Sequence, residues 1–218
     1  KEEIEKAGHE LVLLEKYTEL AQLLDAVKDV EAMIVRSDKI TPEIMDAAPK
    51  LKVIVRAGAG YDSIDTAYAK EKGIIVENTP GQNANAVAEL VLGLLVYAVR
   101  AFYNGKSGSE LIGKKLGLLA FGNVGRNVAR IAKGFGMDVY AYDAFCPANV
   151  IEEAGVHAVA SQEALFEQCN IVSLHIPATP ETKQSINYAL VNRLPKGGIL
   201  VNTARKEVIN EPELLKLM

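Results

Sequence analysis

Apolar residues along this chain come in two patterns. Short unbroken runs read as strands buried on both faces, and runs spaced by three and four read as helices. In chain order the pattern predicts a helix end at residues 1–8 stopped by Gly8, a strand at 11–14 and a helix at 18–27. A strand at 32–35 ends in Arg36-Ser37, and Thr41 followed by Pro42 has the form of a helix cap and first turn. Then come a strand at 51–55, a helix at 64–72 ended by Gly73, and a strand at 74–76. Residues 84–104 predict the longest helix. It is apolar on nearly every side from Leu90 to Val99, as a helix buried between domains or subunits should be.

The stretch KLGLLAFGNVGRNVARIAKGFGMDVYAYD, residues 115–143, organises the second half of the chain. Leu116, Leu118 and Leu119 predict a strand, Val128, Ile131, Ala132 and Phe135 recur at helical spacing, and 138–142 is a second strand closed by Asp143. Between strand and helix stand Gly122 and Gly125, the later glycines of a dinucleotide fingerprint, with Ala120 in the place of the first. A helix N-terminus offers unpaired N–H groups and partial positive charge to a pyrophosphate. Gly122 lets the backbone approach the phosphates and Gly125 lets helix and strand pack closely, while Ala120 fits a tight turn if its φ stays negative. Asp143 lies at the distance where such folds place the acid that bonds a free ribose 2′-hydroxyl. It favours NAD over NADP, with Arg126 nearby as a countervailing charge.

Downstream the pattern predicts helices at 148–154 and after a Ser161 cap, a strand at 171–174 ending at His175, and a mostly helical segment at 183–194. A strand at 198–201 leads into Asn202-Thr203-Ala204-Arg205. Asn210 with Glu213 has capping-box form and opens a last helix running to Met218. Strands alternating with helices across short loops predict two parallel-sheet α/β domains, residues 1–82 and 83–218. Such sheets bind ligands at the carboxyl ends of their strands. Three loops at such ends, Arg36-Ser37, 56–62 and 78–83, are polar or glycine-rich and make a candidate anion pocket.

The 218 residues carry a net charge of −4, which gives no reason to expect nucleic acid or an anionic membrane as partner. Cys146 and Cys169 are too few for a disulfide framework or zinc site and suggest a reducing, cytoplasmic setting. No apolar run is long enough to span a bilayer.

Several motifs, in this order, resemble the D-isomer-specific 2-hydroxyacid dehydrogenases. They are RAGAGYDSID (56–65), NTPGQNANAVAEL (78–90), the stretch 115–143, SLHIPATPETK (173–183) and LVNTAR (200–205). Within that family, Val35-Arg36-Ser37 and the NTPGQNANAVAEL form are most similar to D-3-phosphoglycerate dehydrogenases without a regulatory tail. The resemblance implies a flavodoxin-like substrate domain built from both chain termini and an inserted Rossmann NAD-binding domain, each incomplete here. It also implies a homodimer built on the helix 84–104 and a substrate held in the cleft between domains.

For chemistry, Arg205 follows a buried strand at its carboxyl end, and a guanidinium holds planar oxygens bidentately. The resemblance makes it the catalytic cation for carboxylate and carbonyl oxygen. It also implies that backbone N–H groups of Ala59 and Gly60 hold the carboxylate, and that Arg36, Ser37 and Asn83 hold a substrate phosphate. Asn123 and Val124 in the turn, then His175, Pro177, Thr182, Thr203, Ala204 and Arg205, would line the cofactor beside Gly122, Gly125 and Asp143. The family's general acid–base, a histidine backed by a glutamate or in some short members a lysine, lies downstream of these 218 residues. His9 and His157 read as residues of exposed turns. Arg56 reads as a structural brace of the glycine loop. The expected reaction is NAD-dependent oxidation of 3-phosphoglycerate to 3-phosphohydroxypyruvate, the entry to serine synthesis. Reduction of glyoxylate or hydroxypyruvate and non-catalytic NAD sensing are the alternatives.

Overall fold

The structure, a computed structural model, describes residues 1–217. The chain forms two compact units, residues 1–82 and the chain from Asn83 onward.

In the first unit β1 (Ala32–Val35), β2 (Val53–Arg56) and β3 (Ile75–Asn78) lie parallel in the order β1-β2-β3. Helices α1 (Glu2–Lys6) and α2 (Leu20–Ala26) precede β1, and α3 (Pro42–Asp46) and α4 (Thr66–Glu71) connect the strands. Met33, Ile40, Ile44, Met45, Ile54, Ile64 and Ala69 form the core. Residues 11–14 are not a strand, because they pair with no ladder and Val12 and Leu13 are exposed. An apolar run becomes a strand only where a sheet edge receives it. The helix expected at 18–27 begins at Leu20, where the Gln22 side chain accepts the N–H groups of Thr18 and Glu19 at 3.0 and 3.2 Å. The helix expected from 64 begins at Thr66. Ile64 is taken up in a parallel bridge to Ile40, and Asp65 caps α4 by accepting the Tyr68 N–H. Pro42 opens α3, but the Thr41 side chain makes no cap bond.

The second unit is a five-stranded parallel sheet of β4 (Lys115–Leu119), β5 (Asp138–Tyr142), β6 (His157–Ala158), β7 (Ile171–Leu174) and β8 (Ile199–Asn202). Its order is β6-β5-β4-β7-β8. Its helices are α5 (Ala84–Val99), α6 (Asn123–Gly134), α7 (Ala148–Glu153), α8 (Gln162–Gln168), α9 (Tyr188–Val191) and α10 (Glu211–Leu214). Strand alternation splits the apolar residues into two cores. Leu116, Leu118, Ile171 and Val201 cluster with Ala88, Val91, Leu92 and Leu95 of α5 and Val128 and Ala132 of α6. Leu119, Val172 and Leu174 cluster with Leu165, Phe166 and Cys169 on the other face. Each such leucine, fully removed from water, contributes about 1.5–3 kcal/mol. Burial pushes the Cys169 thiol up to about 12, so it is a packing residue and not a nucleophile at neutral pH.

The helix expected at 84–104 stops at Val99. Ala101, Phe102 and Tyr103 take φ values of 51°, 57° and 53°, and the Ser109 N–H returns to the Val99 carbonyl at 2.8 Å, so the loop doubles back on the helix end. The segment 183–194 is helical only over α9. Asn187 caps it by accepting the Leu190 N–H at 3.0 Å, and Ile186 bridges to Ile209. The capping box at Asn210 does not form. The Glu213 carboxylate instead accepts the Tyr188 N–H at 3.0 Å, tying α10 to α9. Residues 215–217 finish in a 3-10 turn, and Met218, the last residue of the expected helix, lies outside the described residues. No helix among the described residues is long and apolar enough to cross a membrane.

The chain runs outward from β4 to β5 and β6, then returns to β4's other side for β7 and β8. The strand order therefore reverses between β4 and β7, and the crevice at their carboxyl ends is where open α/β sheets take ligands.

Candidate functional site

At that reversal β4 runs into Ala120, Phe121 and Gly122, and α6 begins. Gly122 is the residue before the helix, and no side chain caps α6. A Cβ on Gly122 would meet nothing within 4 Å, so the space over the turn is open. A Cβ on Gly125 would lie 2.4 Å from the Ala120 carbonyl oxygen, so there only glycine lets helix and strand end approach. Gly122, Asn123, Val124 and Gly125 thus bring a glycine turn and an uncapped positive helix end to one place, an arrangement suited to a pyrophosphate.

Ala120 departs from expectation. Its φ is +83°, not negative, and its N–H is held by the Tyr142 carbonyl at 2.8 Å. The turn imposes the left-handed geometry whether or not glycine supplies it, and the Cβ carries the strain. Ala120→Gly is expected to stabilise the protein by about 0.5–1 kcal/mol, after offsetting glycine's extra unfolded-state entropy. A urea denaturation midpoint that does not rise would contradict this.

Asp143 closes β5 with both carboxylate oxygens engaged. Oδ2 accepts the Phe121 N–H at 2.7 Å, and Oδ1 accepts the N–H groups of Phe145 and Cys146 at 2.7 and 2.9 Å. Burial opposes its ionisation, yet these three amides, with Arg126 nearby, hold the carboxyl below the usual carboxylate range. Arg126 lies over the Phe121 ring at 4.8 Å and reaches the Cys146 Sγ at 3.5 Å. Asp143 therefore pins the glycine turn to the loop after β5, a role that its spacing alone did not reveal. A carboxylate has about four acceptor positions, so one remains for a ribose hydroxyl.

His175 follows β7, and its N–H donates to the Leu119 carbonyl at 2.9 Å. Its ring lies beside Gly125. Burial lowers its pKa to about 4, and its buried Nε2 has no protein partner. One step past the last paired residues, Leu174 and Asn202, Thr203 also buries an unpartnered hydroxyl. Buried polar atoms without partners are costly, and a ligand group or an ordered water at this crevice would satisfy both. Linkage gives His175 a pH signature. Between pH 6.5 and about 4 the unfolded chain binds a proton here that the folded chain refuses. Stability is whole above pH 6.5 and declines as pH falls toward 4, by up to roughly 3 kcal/mol. His175→Gln should flatten that slope, and urea titrations at pH 7 and pH 5 read it. An unchanged slope would contradict it.

The loop after β7 is tied by its threonines. The Thr182 hydroxyl donates to the Pro177 carbonyl and accepts the Thr179 N–H at 2.7 Å. After β8, the Asn202 side chain accepts the Ala204 N–H at 2.9 Å and donates to the Arg205 carbonyl at 2.8 Å. Asn202 was not among the expected site residues, although it stands in the LVNTAR motif. It sets the loop that carries Thr203, Ala204 and the exposed Arg205.

In the first unit, Arg36 and Ser37 are exposed just past β1, at the same carboxyl edge as the loop after β2. Gly58 has φ +152°, and a Cβ there would fall 1.2 Å from the Arg56 guanidinium, which lies across the glycine and donates to the Ala57 carbonyl at 3.0 Å. Asn78 holds the Ala59 carbonyl at 2.7 Å, and the Thr79 N–H holds that of Gly58 at 3.0 Å, which fixes Ala59 and Gly60 beside the end of β3. Asn83 belongs to the second unit, where it precedes α5 and makes no cap bond with its side chain. Among the described residues, no group of three or more His, Cys, Asp or Glu side chains could hold a metal ion.

Residues 97–218 match the NAD binding domain of the D-isomer specific 2-hydroxyacid dehydrogenases. Over 94% of its length the chain is 40% identical to the hydroxypyruvate reductase of Thermotoga maritima and covers 70% of that protein. Over 90% it is 37% identical to the D-3-phosphoglycerate dehydrogenase of Methanocaldococcus jannaschii, of which it covers 40%. The whole chain aligns with the crystal structure of an NAD+-bound 3-phosphoglycerate dehydrogenase from Entamoeba histolytica, at 46% identity and a TM-score of 0.92, covering 70% of that chain.

Proposed function

Because this chain belongs to the D-isomer specific 2-hydroxyacid dehydrogenase family, we propose that it serves the NAD-dependent oxidation of D-3-phosphoglycerate to 3-phosphohydroxypyruvate. The observation that carries the phosphorylated substrate is Arg36-Ser37, exposed at the end of β1 on the same carboxyl edge as the glycine loop. A guanidinium and a hydroxyl suit a phosphate dianion, while the backbone N–H groups of Ala59 and Gly60 suit the carboxylate. Asn83 is assigned to the phosphate as well.

NAD, when bound, supplies a nicotinamide that takes the hydride from C2 of the hydroxy acid. The open turn over Gly122, the uncapped start of α6 and the unpartnered polar atoms of His175 and Thr203 fit such a cofactor. Gly122, Asn123, Val124 and Gly125 would hold the pyrophosphate, and Asp143 would bond the adenosine ribose. Pro177, Thr182, Thr203 and Ala204 would line the rest. Arg205, carried on the Asn202-locked loop, binds the carboxylate and polarises the C2 oxygen. His157 and His175 do not take the proton. His175 is buried and neutral, and the His157 Nε2 sits 2.9 Å from Asp138, at the amino end of the sheet. The large apolar side chains left exposed on α5, Leu90, Leu94, Val96 and Tyr97, support a homodimer through that helix, and the cytoplasm is the proposed compartment.

The relative named hydroxypyruvate reductase supports a second reading, reduction of hydroxypyruvate or glyoxylate. Steady-state rates on both substrate classes separate the two. With 3-phosphoglycerate the expected effect of Arg36→Ala is a roughly 10–100-fold loss of kcat/KM, the worth of a charge-assisted bond, with glyoxylate turnover little changed. An equal effect on both substrates would remove Arg36 from phosphate recognition.

A further inference from the structure

We propose that Tyr17 is a positioning residue for the phosphorylated substrate: by holding Asp38 it keeps that carboxylate off Arg36 and leaves the guanidinium open to the phosphate. The role rests on the reading of Arg36-Ser37 as the phosphate site.

The loop after β1 is fastened at its two ends. The Val35 carbonyl accepts the Ala57 N–H at 2.8 Å, and Ile40 bridges to Ile64, with its N–H on the Ser63 carbonyl at 2.8 Å. Between these points the backbone of residues 36–39 makes no hydrogen bond among the described residues, so side chains decide its course. One does. The Tyr17 hydroxyl donates to Asp38 Oδ1 at 2.7 Å. Both residues are half-buried, whereas Arg36, Ser37 and Lys39 are exposed.

Tyr17 is held in a strained stretch. Lys16, just before it, has φ 54°, in the left-handed region that a lysine seldom adopts. Such geometry persists where the surroundings fix it. Among the described residues, the bond to Asp38 is the one hydrogen bond from residues 10–17 to the rest of the first unit. That bond, with burial adding to it, pushes the Tyr17 hydroxyl above the usual phenol range, so it stays a donor at neutral pH.

Asp38 stands two residues beyond Arg36, in a loop whose backbone does not keep such neighbours apart. A released carboxylate pairs with the guanidinium or repels an arriving dianion, and either effect opposes phosphate. Held by Tyr17, Asp38 makes no ion pair with Arg36 among the described residues. A phenol suits the task because it satisfies the carboxylate without adding a charge.

The test reads binding to the NADH-loaded enzyme, in which neither ligand can be oxidised. Affinities for 3-phosphoglycerate and for D-glycerate, which lacks the phosphate, are measured by calorimetry. The proteins are the parent, Tyr17→Phe, Asp38→Asn, the double variant of these two, and Arg36→Ala. Tyr17→Phe is expected to bind 3-phosphoglycerate about fivefold more weakly and D-glycerate as the parent does. The double variant should return to the parental affinity, because an amide brings no charge to the guanidinium. Asp38→Asn alone should bind 3-phosphoglycerate at least as tightly as the parent, and weaker binding would overturn the role. A loss in Tyr17→Phe that the double variant does not recover, or that falls equally on both ligands, would make Tyr17 a plain support of the loop. Unchanged affinity in Tyr17→Phe, with Arg36→Ala weakened, would overturn the positioning role and leave the phosphate site standing. Parental affinity for 3-phosphoglycerate in Arg36→Ala, or a parent that does not bind it, would overturn the phosphate site and the role of Tyr17 with it.

Discussion

Arg205→Ala is expected to lower kcat/KM about a thousandfold, the scale on which a preorganised charge acts on developing negative charge. Thermal stability should change far less than the rate, because Asn202 sets the loop through the backbone of Ala204 and Arg205, and the guanidinium's own bond to the Ala204 carbonyl at 3.0 Å lies at the exposed surface. The side chain is exposed, so its truncation opens no cavity. Arg205→Lys keeps the charge and loses the planar fork, and should recover only part of the rate. Steady-state kinetics with a melting curve check both effects. A variant that retains its full rate removes Arg205 from the chemistry, and one that loses its fold makes the residue structural.

Gly125→Ala is expected to cost roughly 2–4 kcal/mol of stability, the range for a side chain forced into packed backbone. Its Cβ would stand 2.4 Å from the Ala120 carbonyl oxygen, and no side chain can turn aside to relieve the contact. Either α6 or the end of β4 must move, and Phe121, Asp143 and His175 all meet at that joint. Gly122→Ala is the control. Its Cβ enters open space, so stability should hold within about 0.5 kcal/mol while dinucleotide binding weakens, because that space is the one proposed for the ligand. Denaturation midpoints and NAD affinities of both variants read the two effects separately. Equal stabilities would show that the joint gives way more easily than its geometry implies.

The turn, its helix and the acid at the end of β5 were legible in the sequence because each is a local demand. A buried run makes a strand, a glycine permits a close approach, and a fixed spacing carries the chain across one βαβ unit. The features that were not legible depend on partners distant in the chain. Residues 11–14 have a strand's composition but no ladder beside them. Asn210 and Glu213 have a capping box's spacing, yet Tyr188, 25 residues away, claims the carboxylate. The end of α5 was hidden because no glycine or proline stands between Val99 and Asn104, and the stop comes from the returning loop at Ser109. Ala120 is the sharpest case. Its residue type argued for negative φ, and the joint with Gly125 overrode it. At the site itself, residue types named Arg36, Asp143 and Arg205, while the bonding of Asp143 to three amides could only come from coordinates.

That bonding joins two traits usually treated as separable. The atoms at residue 143 that would select the coenzyme also tie Phe121 to the segment at Phe145 and Cys146. A lineage or a designer seeking the phosphorylated coenzyme cannot discard the acid alone, since three amides would lose their acceptor in the same step. Asparagine offers one acceptor oxygen where two are in use, and serine reaches fewer of the donors. A route between coenzymes passes through a weakened turn unless a compensating acceptor arrives first, so substitutions here should come in sets, with the supporting change preceding the loss of the charge.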